Sequence, residues 1–388
     1  MFAEQGPYLS TDCQGDVPRR AESPVETNVL KEKLAGAKPD FTVVAMPDFF
    51  LDYLVSFPGK LEDMTRAIAA VAGRGGGNLL GWKHSVGRGG NSSNLVAQLA
   101  RLGVRATPVI ETDETGYAVL AKALPGVDLS HVRTTGALSS TVALEADHSG
   151  RRVNVMLSNP GSHASFGPEK LSENDKDLIR QANFVVVLNW GQNQKGTDLA
   201  ETVFKLAREG SAVTFFDPGD PTPRLGEIPG LNQRVLTSGL VDVLSVNENE
   251  LVQLAKNVKD EAAQGENPLF EAAAVFSMLG VRVDLHTPEY SATFIDGQRE
   301  RVPCLKIQPS KVTGGGDMWN AADIFAQGLG LEHTERLTLA NATSAAYLRK
   351  TGVEPASIEV ILNEAEAVEQ LIEKWKLSGS VSSAPSVA

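Results

Sequence analysis

The chain has 388 residues, 42% of them apolar and 22% charged, with a formal net charge of −12. That charge argues against a nucleic-acid partner, whose backbone needs many cations on one face, but is compatible with a small anion held by backbone amides. Two cysteines, Cys13 and Cys304, exclude a disulfide framework and a multi-cysteine zinc site; with no apolar run near the roughly 20 residues that cross a bilayer and no signal-peptide layout at the start, the expectation is a cytoplasmic protein away from membranes.

Residues 1–39 mix Pro, Gly and charge without periodicity and are expected to be a mobile extension, as is the Ser- and Ala-rich tail at 377–388. Between them, over 40–376, short β-rich runs alternate with helical patterns: 41–46, 104–110, 184–188, 212–216, 241–246 and 281–285. The alternation predicts an α/β domain with a central, mostly parallel sheet flanked by helices. Several runs end in polar residues, Asn189, Asp217, Asn247 and His286-Thr287. Ligands bind beyond the carboxyl ends of such strands, so these positions are candidates for one cleft. A second set of strands near 52–57, 77–86, 139–145 and 152–157 lacks long intervening helices and predicts a small β-sheet lid over the cleft; an edge extension of the main sheet is the alternative. Arg151, Arg152 and His163 fall in the lid region as candidate anion contacts, although paired arginines in a turn are more often solvated. Trp190 reads as packing, while Asn189 and Asn193 are candidates for the cleft wall.

Three motifs carry the chemistry. In the first, Gly87-Arg88-Gly89-Gly90-Asn91-Ser92-Ser93-Asn94 precedes a helix marked by Leu95, Leu99 and Leu102. Its glycines allow close approach to the backbone, and Asn91 and Asn94 offer donors and acceptors suited to hydroxyls. A dinucleotide fingerprint fails here, because Ser92 stands at the third glycine position, and no GxxxxGK[ST] loop occurs. The second, Asn247-Glu248-Asn249-Glu250, reads either as a capping box or as an amide and a carboxylate that organise the water shell of Mg²⁺. The third is Lys311-Val312-Thr313-Gly314-Gly315-Gly316-Asp317, ahead of a helical pattern in Trp319, Ala322, Phe325, Ala326 and Leu329. Open amides at a helix N-terminus suit an anion, and Asp317 beside them suits proton acceptance from an attacking hydroxyl. The helix dipole is expected to keep that carboxylate ionised at neutral pH.

Taken in order, Gly89-Gly90-Asn91 with Asn94, Asn247-x-x-Glu250, and Gly314-Gly315-Gly316-Asp317 resemble the motifs of the ribokinase or PfkB carbohydrate kinase family, over about residues 40–375. The resemblance implies a ribokinase-like fold and transfer of the terminal phosphoryl group of a nucleotide, ATP with ADP as the alternative donor, to a hydroxyl of a sugar or sugar-like alcohol. It further implies Asp317 as the catalytic base with Gly314, Gly315 and Gly316 as the anion hole. Asp52, Gly89, Gly90, Asn91 and Asn94 would hold the acceptor; Asn247, Glu250, Thr287, Thr313 and Asn341 would serve the nucleotide, and Glu250 would reach Mg²⁺ through water. A homodimer through the lid is a further implication. The chain departs from the family pattern twice. Lys311 stands where an aspartate is usual, in a loop that binds a monovalent cation in several members, so that its ammonium either replaces the cation or turns to solvent. Glu289 stands where a nucleotide-contacting glycine is common. These departures keep open a second reading, a catalytically weak binding or scaffold protein on the kinase fold.

Overall fold

The computed structural model describes residues 29–377 apart from 257, 259–267 and 312. The expected mobility of residues 1–28 and 378–388 therefore lies outside the described residues. The strands are β1 (Thr42–Met46), β2 (Phe50–Lys60), β3 (Lys83–Gly89), β4 (Arg105–Pro108), β5 (Ile110–Glu111), β6 (Val132–Arg133), β7 (Ser140–His148), β8 (Arg151–Asn159), β9 (Phe184–Leu188), β10 (Val213–Asp217), β11 (Val243–Val246), β12 (Arg282–His286), β13 (Tyr290–Ile295) and β14 (Gln298–Pro303). The α-helices are α1 (Val29–Leu34), α2 (Leu61–Gly73), α3 (Asn91–Arg101), α4 (Glu114–Ala123), α5 (Glu173–Gln181), α6 (Gly196–Glu209), α7 (Ile228–Leu231), α8 (Glu248–Ala255), α9 (Pro268–Ser277), α10 (Gly315–Gly328), α11 (His333–Leu348) and α12 (Ile358–Leu377). No described helix is long and apolar enough to cross a membrane.

Eight strands form the main sheet in the order β14-β13-β12-β11-β10-β9-β1-β4. All pairs from β12 to β4 are parallel, and the β13–β14 hairpin adds an antiparallel edge. Alternate residues along a strand bury into opposite layers, the consequence of the period-2 pleat. Val43, Ala45, Val186 and Phe215 pack with α3, α10, α11 and α12. Their neighbours Val44, Met46, Val185 and Phe216 pack with α5, α6, α8 and α9. Both faces are thereby dry, which is why the sequence shows continuous apolar runs there rather than alternation.

A second sheet, β3-β2-β7-β8, leaves the main one immediately after β1. Its β2–β7 pair is parallel and its two outer pairs are antiparallel. Because the chain returns to β4 on one side of β1 and only later reaches β9 on the other, the main sheet reverses its strand order at β1. A crevice opens at such a point, and Asp48, just after β1, lies at its mouth.

Three local expectations fail. Residues 29–34, placed in a mobile segment by the sequence, form α1, whose Leu30 and Leu34 are buried in the core. One Leu pair four residues apart is too short a pattern to signal a helix. The predicted strand at 77–86 begins only at Lys83, since Gly75, Gly76, Gly77 and Gly81 all adopt positive φ. The small sheet does contain a long helix, α2, whose Met64 packs beneath Val55 and Ala146.

Candidate active site

Two helix N-termini meet at the crevice, and they differ in what satisfies them. At α3, Gly90 turns the chain with φ +89°, and a Cβ there would come within 2.8 Å of the Phe49 and Phe50 backbone. A Cβ at Gly89 would collide with the Asp52 carboxylate. These two glycines let β3 pass into α3 directly against the start of β2. The amides so exposed are taken by Asp48, which accepts from Asn91 N at 2.8 Å, Ser92 N at 2.8 Å, Ser92 Oγ at 2.6 Å and Asn189 Nδ2 at 3.0 Å. Asp48 is thus a cap supplied from another segment, with its lone pairs filled.

At α10 the arrangement is open. Gly314 precedes the helix with φ +78° and lies against Tyr347, and among the described residues no side chain caps the first turn. The leading amides of α10 remain available to an anion. Asp317, the third helical residue, is buried, and its Oδ2 accepts from Asn94 Nδ2 at 2.8 Å. Burial, with the nearby carboxylates Asp217 and Asp48, pushes Asp317 up to about 7, against the opposing pull of Asn94 and Arg88. The expectation that the helix dipole keeps it ionised at neutral pH is corrected: burial brings its titration into the neutral range.

Asp52 projects from β2, its carboxylate at Gly89 and bonded to Thr141. Burial lifts it, too, to about 7. Asn91 is half-buried at the start of α3. Asn94, expected to meet an acceptor hydroxyl, instead joins Asp317 to Arg88.

On the nucleotide side the placements diverge. Asn247 and Glu250 form a capping box, Asn247 Oδ1 accepting from Glu250 N at 3.0 Å and Asn247 N donating to Glu250 Oε2 at 2.8 Å, while Asn247 Nδ2 donates to Glu250 Oε1 at 2.7 Å. Burial and the charges of Asp217 and Asp220 push Glu250 up to about 8. Among the described residues no three potential ligands converge to hold a metal directly. A carboxylate raised by the charges of Asp217 and Asp220 nonetheless fits a hydrated divalent cation, which would relieve that repulsion. Thr313 is half-buried where the turn enters α10.

Two expected nucleotide contacts are overturned. Thr287 Oγ1 donates to Tyr290 O at 2.8 Å and accepts from Tyr290 N and Glu289 N, so its hydroxyl closes the β12–β13 turn. Asn341 is buried with every polar capacity filled: Oδ1 accepts from Ser291 Oγ and Trp319 Nε1, and Nδ2 donates to Val302 O and Pro303 O. It braces α11 against α10 and the β13–β14 hairpin. Lys311 likewise does not turn to solvent: its buried ammonium donates to Gly352 O and lies 3.2 Å from the centroid of Tyr347. Burial, then the charges of Arg88 and Lys350, lower it to about 7.

The weaker candidates prove structural. Arg152 donates to Phe57 O, Ser56 Oγ and Glu145 O within the small sheet. His163 is buried and donates Nε2–H to Asn189 O. Trp190 bonds Thr197 and carries Arg224 over its ring, and Asn193 donates to Phe166 O. Of three further groups at the site, Asp217 and His286 are expected from the sequence only to line the cleft as strand ends, and Arg88 carries no expected role. Asp217 accepts from Asn320 Nδ2 at 2.6 Å and is pushed up to about 6 by burial. His286, held down to about 4 by burial, lies with Cε1 3.6 Å from a Cβ position on Gly316. Arg88 is buried between the small sheet and α3.

The model of the pfkB family carbohydrate kinases matches residues 62–359. The chain belongs to that family. It is a carbohydrate kinase, a phosphotransferase with an alcohol as acceptor. Solved structures agree in fold. An Arabidopsis thaliana ribokinase complexed with ribose and ATP matches with a TM-score of 0.64 and 21% identity, over 85% of this chain and 99% of that one. A Thermotoga maritima ribokinase gives 0.64 and 18% over 84% and 99%. An adenosine kinase from Sinorhizobium meliloti gives 0.66 and 16% over 85% and 99%. At these identities the likeness concerns architecture. The family match begins after Asp52 but spans both glycine turns of this kinase.

The correction at Asn341 has a measurable consequence. Asn341→Ala removes the acceptor shared by Ser291 Oγ and Trp319 Nε1, leaving the indole only Ser291 Oγ, and the amide donor to the Val302 and Pro303 carbonyls; it should cost about 2–4 kcal/mol in a denaturant melt, while the nucleotide KM stays within about twofold of wild type.

Proposed function

We propose that this kinase transfers the terminal phosphoryl group of a nucleotide, ATP, to a hydroxyl of a sugar or sugar-like alcohol, with Asp317 as general base. The observation that carries the reading is the contrast between the two helix N-termini, one closed by Asp48 and the other open beside a carboxylate held by Asn94. In the step, Asp317 takes the hydroxyl proton, the acceptor oxygen bonds to the terminal phosphorus, and the bridging P–O bond breaks to release the nucleoside diphosphate. The amides of Gly314, Gly315 and Gly316 would stabilise charge on the moving phosphoryl oxygens, which a loose transition state spreads over the equatorial positions. Asp52, Gly89, Gly90 and Asn91 would orient the acceptor. A ribokinase with ribose and ATP and an adenosine kinase among the fold neighbours support that acceptor class. Mg²⁺, held through water by Glu250 near Asn247 and Asp217, would supply charge neutralisation for the nucleotide phosphates.

The small sheet is read as a lid that excludes water from the transfer. Its face away from Asp52 carries Val86, Tyr53, Val142 and Leu157 in one cross-strand row, all exposed. An apolar row spanning four strands supports pairing with the same sheet of a second copy. At Lys311, the buried ammonium supports replacement of a monovalent cation rather than solvation.

Asp317→Asn should fold and bind nucleotide but lose on the order of 10²-fold or more in kcat. In the wild type the same group predicts a kcat/KM that falls about tenfold per pH unit below about 7 and levels above it, since only the deprotonated carboxylate accepts a proton; near-normal turnover in the variant refutes the assignment. Replacing potassium with a tetraalkylammonium salt should leave the rate unchanged if Lys311 fills the cation's place, and potassium stimulation would count against it. Leu157→Glu should shift the sedimentation coefficient from dimer to monomer.

A further inference from the structure

We infer that Arg88 is a positioning residue for Asp317, acting through the side chain of Asn94 to fix where the base points and when it is ionised. This rests on the kinase reading above. Arg88 ends the small-sheet strand β3, yet its guanidinium is buried against the main body. Nη1 donates to Ser93 O at 2.9 Å and to Asn94 Oδ1 at 2.5 Å, and Nη2 donates to Val353 O at 2.8 Å.

A guanidinium can only donate, so the Asn94 atom it meets must be the oxygen. The amide nitrogen then faces the other way, onto Asp317 Oδ2. One cation thus sets the orientation of an amide that would otherwise rotate about a broad terminal torsion, and the amide in turn holds the carboxylate. Two carbonyl contacts, to α3 and to the loop after α11, keep the guanidinium from following the lid strand.

The effect on Asp317 has a definite sign. The groups facing it are Asp217 from the end of β10, Asp48 from the segment after β1, Arg88 from β3 and Asn94 from α3, with Tyr347 of α11 and neutral His286 of β12 alongside. Burial, Asp217 and Asp48 all favour the protonated acid, and only Asn94 and Arg88 oppose them. Removing Arg88 withdraws its charge and loosens the Asn94 bond together, so the carboxyl should protonate more readily. A residue that merely supported packing would lower turnover equally at every pH.

The test compares kcat/KM against pH for wild type, Arg88→Met, Asn94→Ala and the double variant. Arg88→Met should move the acid limb upward by about one pH unit or more, so that kcat/KM is down roughly eightfold or more near pH 6.5 and largely recovers by pH 9. In the Asn94→Ala background the same change should move the limb by much less. Arg88→Lys, which keeps the charge but loses the fork, should give a smaller upward shift and serves if Arg88→Met does not melt as a folded protein. A uniform loss with the limb in place, or an equal movement with and without Asn94, overturns the inference. The Asp317 carboxyl, identified in ¹³C-aspartate-labelled protein by its absence from Asp317→Asn, gives the same midpoint without turnover. If wild type phosphorylates no acceptor, the kinase reading fails, while that NMR midpoint still decides the role of Arg88.

Discussion

The site depends on a carboxylate kept out of water where two helices begin. Raising Asp317 from 3.8 to about 7 corresponds to roughly 4 kcal/mol at about 1.4 kcal/mol per pKa unit. A helix N-terminus returns at most about 2 kcal/mol to a nearby anion, so the dipole of α10 cannot hold the group ionised by itself. Burial decides the outcome, and the Asn94 hydrogen bond moderates it. A carboxylate that shed its proton with ease would be a feeble acceptor; one poised near neutrality combines ionisation with basicity. The desolvated position therefore suits proton abstraction better than a solvated one would.

Much of this was legible in the chain because glycine turns advertise themselves. Gly89-Gly90 and Gly314-Gly315-Gly316 each precede a helical pattern, and the positive φ values at Gly90 and Gly314 show why no other residue serves there. The parallel core was equally plain, since strands dry on both faces read as unbroken apolar runs. Local patterns said less about direction. Asn94, Thr287 and Asn341 are polar residues in the expected neighbourhoods, yet each turns to a protein partner that spacing could not reveal: an arginine on the small-sheet strand β3, a turn carbonyl and the ring nitrogen of Trp319. Arg88 carried no signal at all beyond its place in a glycine-rich motif, because its importance lies in contacts to residues 353 and 94 made only after folding.

The capping role of Asp48 explains why the two helix starts behave differently although both are announced by glycine. At α3 a buried carboxylate fills the amides before any ligand can. In the proposed reaction that closure would direct the moving anion to α10 and leave the surface of α3 to neutral hydroxyls, for which Asn91 offers donor and acceptor together. Selectivity between phosphoryl and alcohol would then come from which N-terminus retains open N–H groups.

Lys311 completes the charge balance of the open turn. Its ammonium is buried with one backbone carbonyl and the face of Tyr347 for company, and the same ring lies against Gly314. A cation–π contact contributes on the order of 2 kcal/mol in a desolvated setting; burial still outweighs the favourable contacts, and the group is lowered to about 7. Lowered toward neutrality, the ammonium gives up its proton beside the glycine turn more readily than a solvated lysine. An anion arriving at the α10 amides favours the protonated lysine, and by linkage the protonated lysine favours the anion. A fixed aspartate with a dissociable cation would keep that turn near electrical neutrality; if Lys311 replaces the cation as proposed, it would do so by giving up and regaining a proton.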